Sequence, residues 1–370
     1  MPSFSHSAVE AKTELFGGLA TFRNRIGSKQ KVILSRQLAT LINAGLPLIQ
    51  SLNTVKGQTS NPALKEIIGV IISDVEGGAT LSKALAKHPK VFNDVYISLI
   101  AAGEASGNLD KSLERLANQQ EKDAEIVSKV RGALIYPLIV LAVLGAVLVF
   151  MLIAVLPQVQ SLYEQLPGAE LPLITRALLA LANLIINIWW IVLIVLIIGS
   201  ILGVRWARSP AGQEVIDRLK LKLWPIAPLF AKLYMARFSR TAATLVASGV
   251  PMIKMLETTA QAVDNLQVSR SILQASEKVK GGKSLSESLS GDPNFLELVP
   301  NMINIGEQSG ALDNMLAKTA EYYEKEVDNQ IKAVSTVIEP VMMIIVGVLA
   351  LIMVAAVLLP IYNLAGQRFI

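Results

Sequence analysis

The segment Gly281-Gly282-Lys283-Ser284 comes closest to a nucleotide-binding motif, because a glycine-rich turn followed by lysine can surround phosphate oxygens. The glycine that begins such a loop would stand at position 277, which is Glu277. The preceding residues also have the spacing of a helix, whereas a phosphate-binding loop follows a strand. We therefore interpret this segment as a turn between two helices.

The other residue types suited to catalysis or metal binding are isolated from one another. The chain has two histidines, His6 and His88, and no cysteine. Neither histidine has an aspartate or cysteine at metal-ligand spacing, and no GxSxG, HExxH or EF-hand pattern occurs. We expect no catalytic residue, no metal and no cofactor, and the absence of cysteine excludes disulfides. The sequence does not predict an enzyme.

A short motif with glycines at both ends occurs twice, at Gly103-Glu104-Ala105-Ser106-Gly107 and at Gly306-Glu307-Gln308-Ser309-Gly310. The glycines allow a tight turn between helices, and the Ser or Glu oxygens can accept hydrogen bonds from the free amides at the start of the next helix. This structural interpretation is favoured, and the alternative is a docking surface for a partner protein. The candidate partner contacts are Glu104, Ser106, Gly107, Glu307, Ser309 and Gly310.

The motif recurs because a long stretch of the chain is duplicated. Ser35-Arg36 corresponds to Ser239-Arg240, and Glu121 corresponds to Glu324. Each copy has a polar part with the pattern of short helices separated by turns, followed by an apolar segment. Two copies of one unit can face each other, or one partner, around an axis of pseudo-symmetry. We predict an all-α membrane protein with two homologous cytoplasmic bundles, each of about six helices, and three transmembrane helices.

The composition is that of a membrane protein, with 52% hydrophobic residues, 17% charged residues and a mean hydropathy of +0.49. Three segments contain no charged residue: those between Arg131 and Glu164, between Arg176 and Arg205, and between Glu339 and Arg368. Each is longer than the roughly 20 residues that a helix needs to cross the bilayer core. The sequence therefore predicts three spans.

Near the ends of the predicted spans, lysine and arginine lie mainly on the side of the polar parts of the two copies. This distribution places those parts in the cytoplasm. The N-terminus is then cytoplasmic, and the C-terminus lies outside the cytoplasmic membrane. The predicted domains are the N-terminal arm 1–30, repeat 1 at 31–131, span 132–157, external loop 158–176, span 177–204, repeat 2 at 205–333, span 334–362 and external tail 363–370. The net charge is only +5 and the excess lies beside the spans, so we predict no direct nucleic-acid binding.

Each copy has a proline where its polar part meets its apolar segment. The pairs are Tyr136-Pro137 in the first copy and Glu339-Pro340 in the second. All four residues are candidate functional or partner contacts. A carboxylate near hydrocarbon is costly, so Glu339 is a candidate contact for a partner helix or a neighbouring subunit. Proline removes a backbone donor and opens the helix beside it. The alternative is an interfacial carboxylate that reaches water or pairs locally.

These motifs, in this order over residues 30 to 365, resemble the type II secretion system F family. The members of this family are inner-membrane platform proteins of type IV pili, type II secretion and competence systems. The matching elements are RQLATL at 36–41 and RTAATL at 240–245, a Gly-x-Pro after each, the two Gly-Glu-x-Ser-Gly turns, and the two proline pairs at the start of the spans.

The resemblance implies a platform that couples a cytoplasmic hexameric assembly ATPase to the extraction of pilins or pseudopilins from the membrane. It also implies contacts with membrane lipid and with other inner-membrane assembly proteins, and a homo-oligomer of two or more copies. One alternative is a small oligomeric transporter or channel, for which Glu339 is the candidate ionisable residue within a span. Another alternative, a membrane receptor, has only a short external loop and tail for a sensor.

Overall fold

The computed structural model describes residues 26–155, 197–207, 209–223 and 227–367, together with the isolated positions 157, 158, 161, 176, 180, 194 and 195. The secondary structure of these residues is helical, and no strand occurs in them. The predicted all-α class is therefore confirmed for the described part of the chain.

The first copy begins with five short helices and continues into a long one. They are α1 (Ser28–Asn43), α2 (Leu48–Gln58), α3 (Pro62–Glu76), α4 (Leu81–Ala86), α5 (Asp94–Ser106) and α6 (Leu109–Phe150), which a π-helical turn, Met151–Val155, extends.

The second copy repeats this order after two connecting helices. The connecting helices are α7 (Ile197–Ala207) and α8 (Pro210–Lys222). The repeated helices are α9 (Ala227–Ala247), α10 (Met252–Ala262), α11 (Leu266–Lys280), α12 (Leu285–Leu289), α13 (Leu298–Ser309) and α14 (Leu312–Gln367).

Local sequence explains where these helices begin. The Asn61 side chain accepts a hydrogen bond from the Leu64 amide at 3.0 Å, and proline follows at the first position of α3. Ser209 accepts from the Gly212 amide at 3.1 Å in the same arrangement at the start of α8. A side-chain oxygen before the helix satisfies an amide that lacks a partner within it, and proline there gives up no hydrogen bond.

The chain divides into two compact units. One contains the described residues up to Ser128 together with Pro228–Val327, so the polar parts of both copies belong to the same unit. Its interior holds aromatic pairs in both copies, with ring centroids 4.9 Å apart for Phe92 and Tyr96 and 5.1 Å apart for Phe238 and Phe295. Both pairs meet edge to face, the arrangement that the charge distribution of aromatic rings favours.

The second unit comprises Lys129–Ala227 and the residues from Asp328 onward. Within the described residues, two helices are long and apolar enough to cross a membrane, Leu109–Val155 and Leu312–Leu358. Only 6% and 11% of their most apolar windows are buried, whereas a core helix of a soluble protein would be mostly buried. An ion pair joins the two helices, with 2.7 Å between Lys129 Nζ and Asp328 Oδ2.

The remaining predicted segments lie wholly or largely outside the described residues. These are the N-terminal arm, the external loop and most of the predicted span 177–204. The continuous described part of that span is in α7, which is apolar but shorter than a membrane crossing requires.

Candidate functional site

The glutamate of each Gly-Glu-x-Ser-Gly motif receives hydrogen bonds from the start of a short helix. Glu104 accepts from the Leu81 and Ser82 amides, at 2.5 and 3.1 Å, at the N-terminus of α4. Glu307 accepts from the Leu285 and Ser286 amides, at 2.7 and 3.2 Å, at the N-terminus of α12. A carboxylate there satisfies free amides and complements the positive end of the helix dipole. The prediction that the motif oxygens cap the next helix, α6 or α14, is therefore wrong for the glutamates, which cap the preceding short helix instead. Both carboxylates hold two helices together within their own repeat.

The two glycines of each motif are required for different structural reasons. Gly107 and Gly310 adopt the left-handed conformation, with φ of 70° and 68°, and end α5 and α13. Gly103 and Gly306 lie where helices approach closely, and a Cβ on Gly306 would stand 2.8 Å from the Leu312 Cα. The first glycine of the motif is therefore needed for packing and the last for backbone conformation.

The serines of the motif bond to their own helices. Ser106 Oγ donates to the Gly103 carbonyl at 3.4 Å, and Ser309 Oγ donates to the Ile305 carbonyl at 2.7 Å. These bonds close the last turn of α5 and of α13.

Each repeat also contains an arginine–glutamate pair that our sequence reasoning did not identify. In repeat 1 the Arg36 guanidinium donates to both oxygens of Glu121, at 2.6 and 2.5 Å. In repeat 2 the same atoms of Arg240 and Glu324 are 2.8 and 2.9 Å apart. The hydrogen bonds from Arg36 lower the pKa of Glu121. The sequence contains one signal for these pairs: arginine and glutamate stand at corresponding positions in both copies.

The two repeats meet through polar side chains of α6 and α9. Arg115 Nη1 donates to the Ala247 carbonyl at 2.6 Å and to Ser248 Oγ at 3.1 Å. Gln119 Nε2 donates to Thr241 Oγ1 at 2.7 Å, and Gln119 is 6% exposed. These contacts lie within the first unit, so they fix one repeat against the other.

A cavity of about 150 Å³ lies beside this junction. Its walls include Lys31 and Asp123 from the first copy and Arg237 from the second. The size and the polar walls suit a few water molecules. Within the described residues, no three histidine, cysteine, aspartate or glutamate side chains are grouped so as to hold a metal ion.

Asp123 is the carboxylate at this cavity with a displaced pKa. Burial raises the pKa to about 6 and the negative charge of Glu324 adds to the rise, while the positive charges of Arg237 and Arg240 oppose it. Charged Asp123 is therefore less favourable in the folded protein than in the unfolded chain.

We expect Asp123→Asn to make the protein more stable above pH 6. Because its folded pKa exceeds the ordinary value of 3.8, wild-type stability falls as pH rises between about 4 and 6. The variant should gain about 3 kcal/mol at pH 8 and little at pH 4. Thermal unfolding of both proteins across this pH range measures the difference.

The corresponding carboxylate of the second repeat, Glu326, is the matched control for that experiment. It forms an ion pair with Lys232 at 2.8 Å, so Glu326→Gln should not stabilise the protein at pH 8. Equal effects of the two substitutions, or a gain for Asp123→Asn that does not depend on pH, would contradict the assignment.

The two proline pairs lie in the long helices. Tyr136 is 64% exposed on α6, and Glu339 is also exposed, on α14. Pro137 and Pro340 both lie inside helical segments. Tyr136 and Glu339 belong to the second unit, whereas the Gly-Glu-x-Ser-Gly motifs belong to the first. The candidate residues thus form two separate groups.

Comparison with known proteins gives the same family for both copies. The family model described as "Type II secretion system (T2SS), protein F" matches residues 34–157 and again residues 238–360. The chain is 41% identical over 342 residues to the type IV pilus assembly protein PilC of Thermus thermophilus, covering 92% of this chain and 84% of that protein.

Relatives from secretion systems match over a similar length. Type II secretion system protein F of Xanthomonas campestris is 37% identical over 338 residues, covering 90% of this chain and 82% of that protein. The type IV pilus assembly protein PilC of Myxococcus xanthus is 36% identical over 346 residues, covering 92% of this chain and 82% of that protein. The similarity thus includes both repeats and the segments that connect them.

Proposed function

Because the chain belongs to the type II secretion system protein F family, we propose that it is a non-enzymatic platform protein of the inner membrane in a type IV pilus or type II secretion machine. The observation that carries this proposal is the family match to both repeats, in a chain whose relatives are named as pilus assembly and secretion proteins. The platform couples a cytoplasmic assembly ATPase to the extraction of pilins or pseudopilins and to the assembly of the fibre.

The proposed topology has three transmembrane helices and two cytoplasmic bundles of six helices each. Its support is the apolar surface of α6 and α14, the uncharged sequence between Arg176 and Arg205, and the lysine and arginine residues beside the polar parts of the chain. The N-terminus is cytoplasmic and the C-terminus is outside. The first compact unit is then the part that the ATPase reaches.

The architecture of the first unit suits transmission of force more than chemistry. The carboxylates of its two motifs bind helix starts, and its arginine–glutamate pairs join the first helix of each repeat to the last. Bidentate pairs of this kind have a fixed geometry. A partner that moves one helix therefore moves its repeat as a body.

Glu339 is the proposed contact for the client helix or a neighbouring subunit in the membrane. Its side chain is exposed in the single chain and lies in a helix with the composition of a membrane span. An exposed carboxylate near hydrocarbon is stabilised when a polar or basic group of another helix binds it.

The test uses cells that lack the gene and carry wild-type protein or one of two variants. Cells without the protein should make no fibres or secrete none of the system's substrates, and the wild-type gene should restore this activity. Glu339→Gln should accumulate in the membrane at wild-type levels and yet lose most of the activity, because it cannot supply the charge. Fibre counts and secreted protein are measured against membrane abundance.

The matched control is Tyr136→Phe, at the corresponding position of the first repeat. It removes a polar atom from the surface of the other long helix without removing a charge, so its activity should equal that of the wild type. Normal fibre assembly and secretion in cells without the protein would refute the proposed function. Wild-type activity of Glu339→Gln alone would refute only the role of this carboxylate.

A further inference from the structure

The two repeats bind each other through different faces. We call the surface of the first two helices of a repeat its front face, formed by α1–α2 or α9–α10. The surface of its last two helices, formed by α5–α6 or α13–α14, is its rear face. The rear face of repeat 1 contacts the front face of repeat 2, as the bonds from Arg115 to Ala247 and from Gln119 to Thr241 show. Ser98 and Thr258 add a contact between α5 and α10, with 3.4 Å between their hydroxyl oxygens.

The reciprocal contact is not made in the described residues. Gln119 is 6% exposed, whereas Tyr322, at its position in repeat 2, is 50% exposed. Lys318, which corresponds to Arg115, is exposed as well. A two-fold arrangement would bury both sets equally. The contact between the repeats is therefore head to tail.

The front face of repeat 1 is open in the same way. Thr258 of repeat 2 is fully buried, whereas Thr54, at its position in repeat 1, is only half-buried. Asn43 and Ala44, which correspond to Ala247 and Ser248, are exposed. One chain thus presents a front face at one end of the pair of repeats and a rear face at the other.

From this arrangement we propose that the rear face of repeat 2 binds the front face of repeat 1 in a second copy of this chain. The partner is a second copy of this chain because each open face duplicates a face that is already bound. The rear face of repeat 2 duplicates the rear face of repeat 1, which binds a front face. The front face of repeat 1 duplicates the front face of repeat 2, which binds a rear face. A contact between repeats thereby continues from one chain to the next. Head-to-tail contacts close into a ring when their rotation allows it. This contact follows from the geometry of the repeats, so it holds or fails independently of the role in fibre assembly.

The side chains at the open faces suit the contact. Arg115 places a positive charge at the C-terminal end of α9, and Lys318 can do the same at the C-terminal end of α1, where Asn43 is exposed. Carbonyl groups without partners at a helix C-terminus attract cations. The Tyr322 hydroxyl and the Gln37 side chain take the places of Gln119 and Thr241.

Exposed apolar side chains lie on the same two faces. Ile305 of α13 is 51% exposed, and Ile33 and Ile49 of α1 and α2 are 45% and 37% exposed. At the joined faces the corresponding residues, including Ala102 and Ile253, are half-buried. Covering the three isoleucines would add apolar burial to an otherwise polar contact.

The test uses cross-linking of full-length chains in membranes, for which the absence of native cysteine gives no background. Chains with Tyr322→Cys and chains with Gln37→Cys, carrying different tags, are produced in the same cells and treated with a short bifunctional maleimide. We expect a cross-linked species that carries both tags. A single chain with Gln119→Cys and Thr241→Cys is the positive control, because it should cross-link within itself.

Three outcomes would contradict the proposal. One is no mixed species while the control chain cross-links. Another is a dimer of Tyr322→Cys chains alone or Gln37→Cys chains alone, which would indicate a two-fold contact. The last is a cross-link of either position to a different protein, which would mean that another partner occupies the face.

A charge substitution provides an independent measurement. Lys318→Glu places a negative charge at the carbonyl end of α1 in the second copy, so most co-purification of differently tagged chains should be lost. The matched control is Lys83→Glu, an exposed position on α4 that lies outside both faces. Equal co-purification of the two variants would overturn the proposed contact.

Discussion

Replacing Gly306 with alanine should lower the free energy of unfolding by about 3 kcal/mol, because the added methyl group collides with backbone. The new Cβ would stand 2.8 Å from the Leu312 Cα and 3.2 Å from the Met315 Cβ. A flexible side chain could move away, but the Leu312 Cα moves only with α14. Thermal unfolding of the full-length protein in detergent, followed by circular dichroism, measures the loss.

Gly57 is the matched control because it also lies within a helix but has no atom within 4 Å of its added Cβ. Gly57→Ala should raise stability by about 0.5–1 kcal/mol, since alanine favours the helix more than glycine does. If Gly306→Ala melts at the wild-type temperature, the close approach of α13 and α14 is not as the structure has it.

Replacing Glu307 with alanine should cost about 2 kcal/mol, because it leaves the Leu285 and Ser286 amides at the start of α12 without their acceptor. Glu104→Ala should cost a similar amount through the Leu81 and Ser82 amides of α4. The two sites lie in different repeats, so the double variant should lose roughly the sum. Thermal unfolding of the three variants gives these values.

Glu287→Ala is the control for these substitutions, since its carboxylate is exposed and pairs with an exposed lysine. Its stability should change by less than about 0.5 kcal/mol. The same experiment separates the two interpretations of the Gly-Glu-x-Ser-Gly motif. A Glu307→Ala variant with wild-type stability and no fibre assembly would favour a docking surface over a helix cap.

Local sequence was sufficient for the helices and for the turns between them. Asn61 and Ser209 each stand before a proline, and in the structure both accept hydrogen bonds from amides at the start of a helix. Gly107 and Gly310 end helices in the left-handed conformation, which glycine adopts most easily. These features depend on a few consecutive residues, so their physical cause is present in the sequence itself.

The duplication and the membrane character were also present in the sequence. The paired motifs gave the two repeats, which the family model matches separately. Long uncharged segments predicted three spans, and two of the described helices are long and apolar enough to be such spans. The predicted partners of the motif carboxylates, the amides of the next helix, were wrong. Glu104 and Glu307 bind amides about 20 residues earlier in the chain, at helix starts that packing brings close to them.

The sequence by itself determined which segments are helical, which are apolar and which correspond between the repeats. Only the tertiary structure decided which face of one repeat meets which face of the other. Corresponding positions such as Gln119 and Tyr322 lie on equivalent surfaces of two similar bundles, and no local property distinguishes a joined surface from an open one. Burial of Gln119 against Thr241 and exposure of Tyr322 arise from docking of whole repeats, a long-range contact that no short stretch of residues encodes.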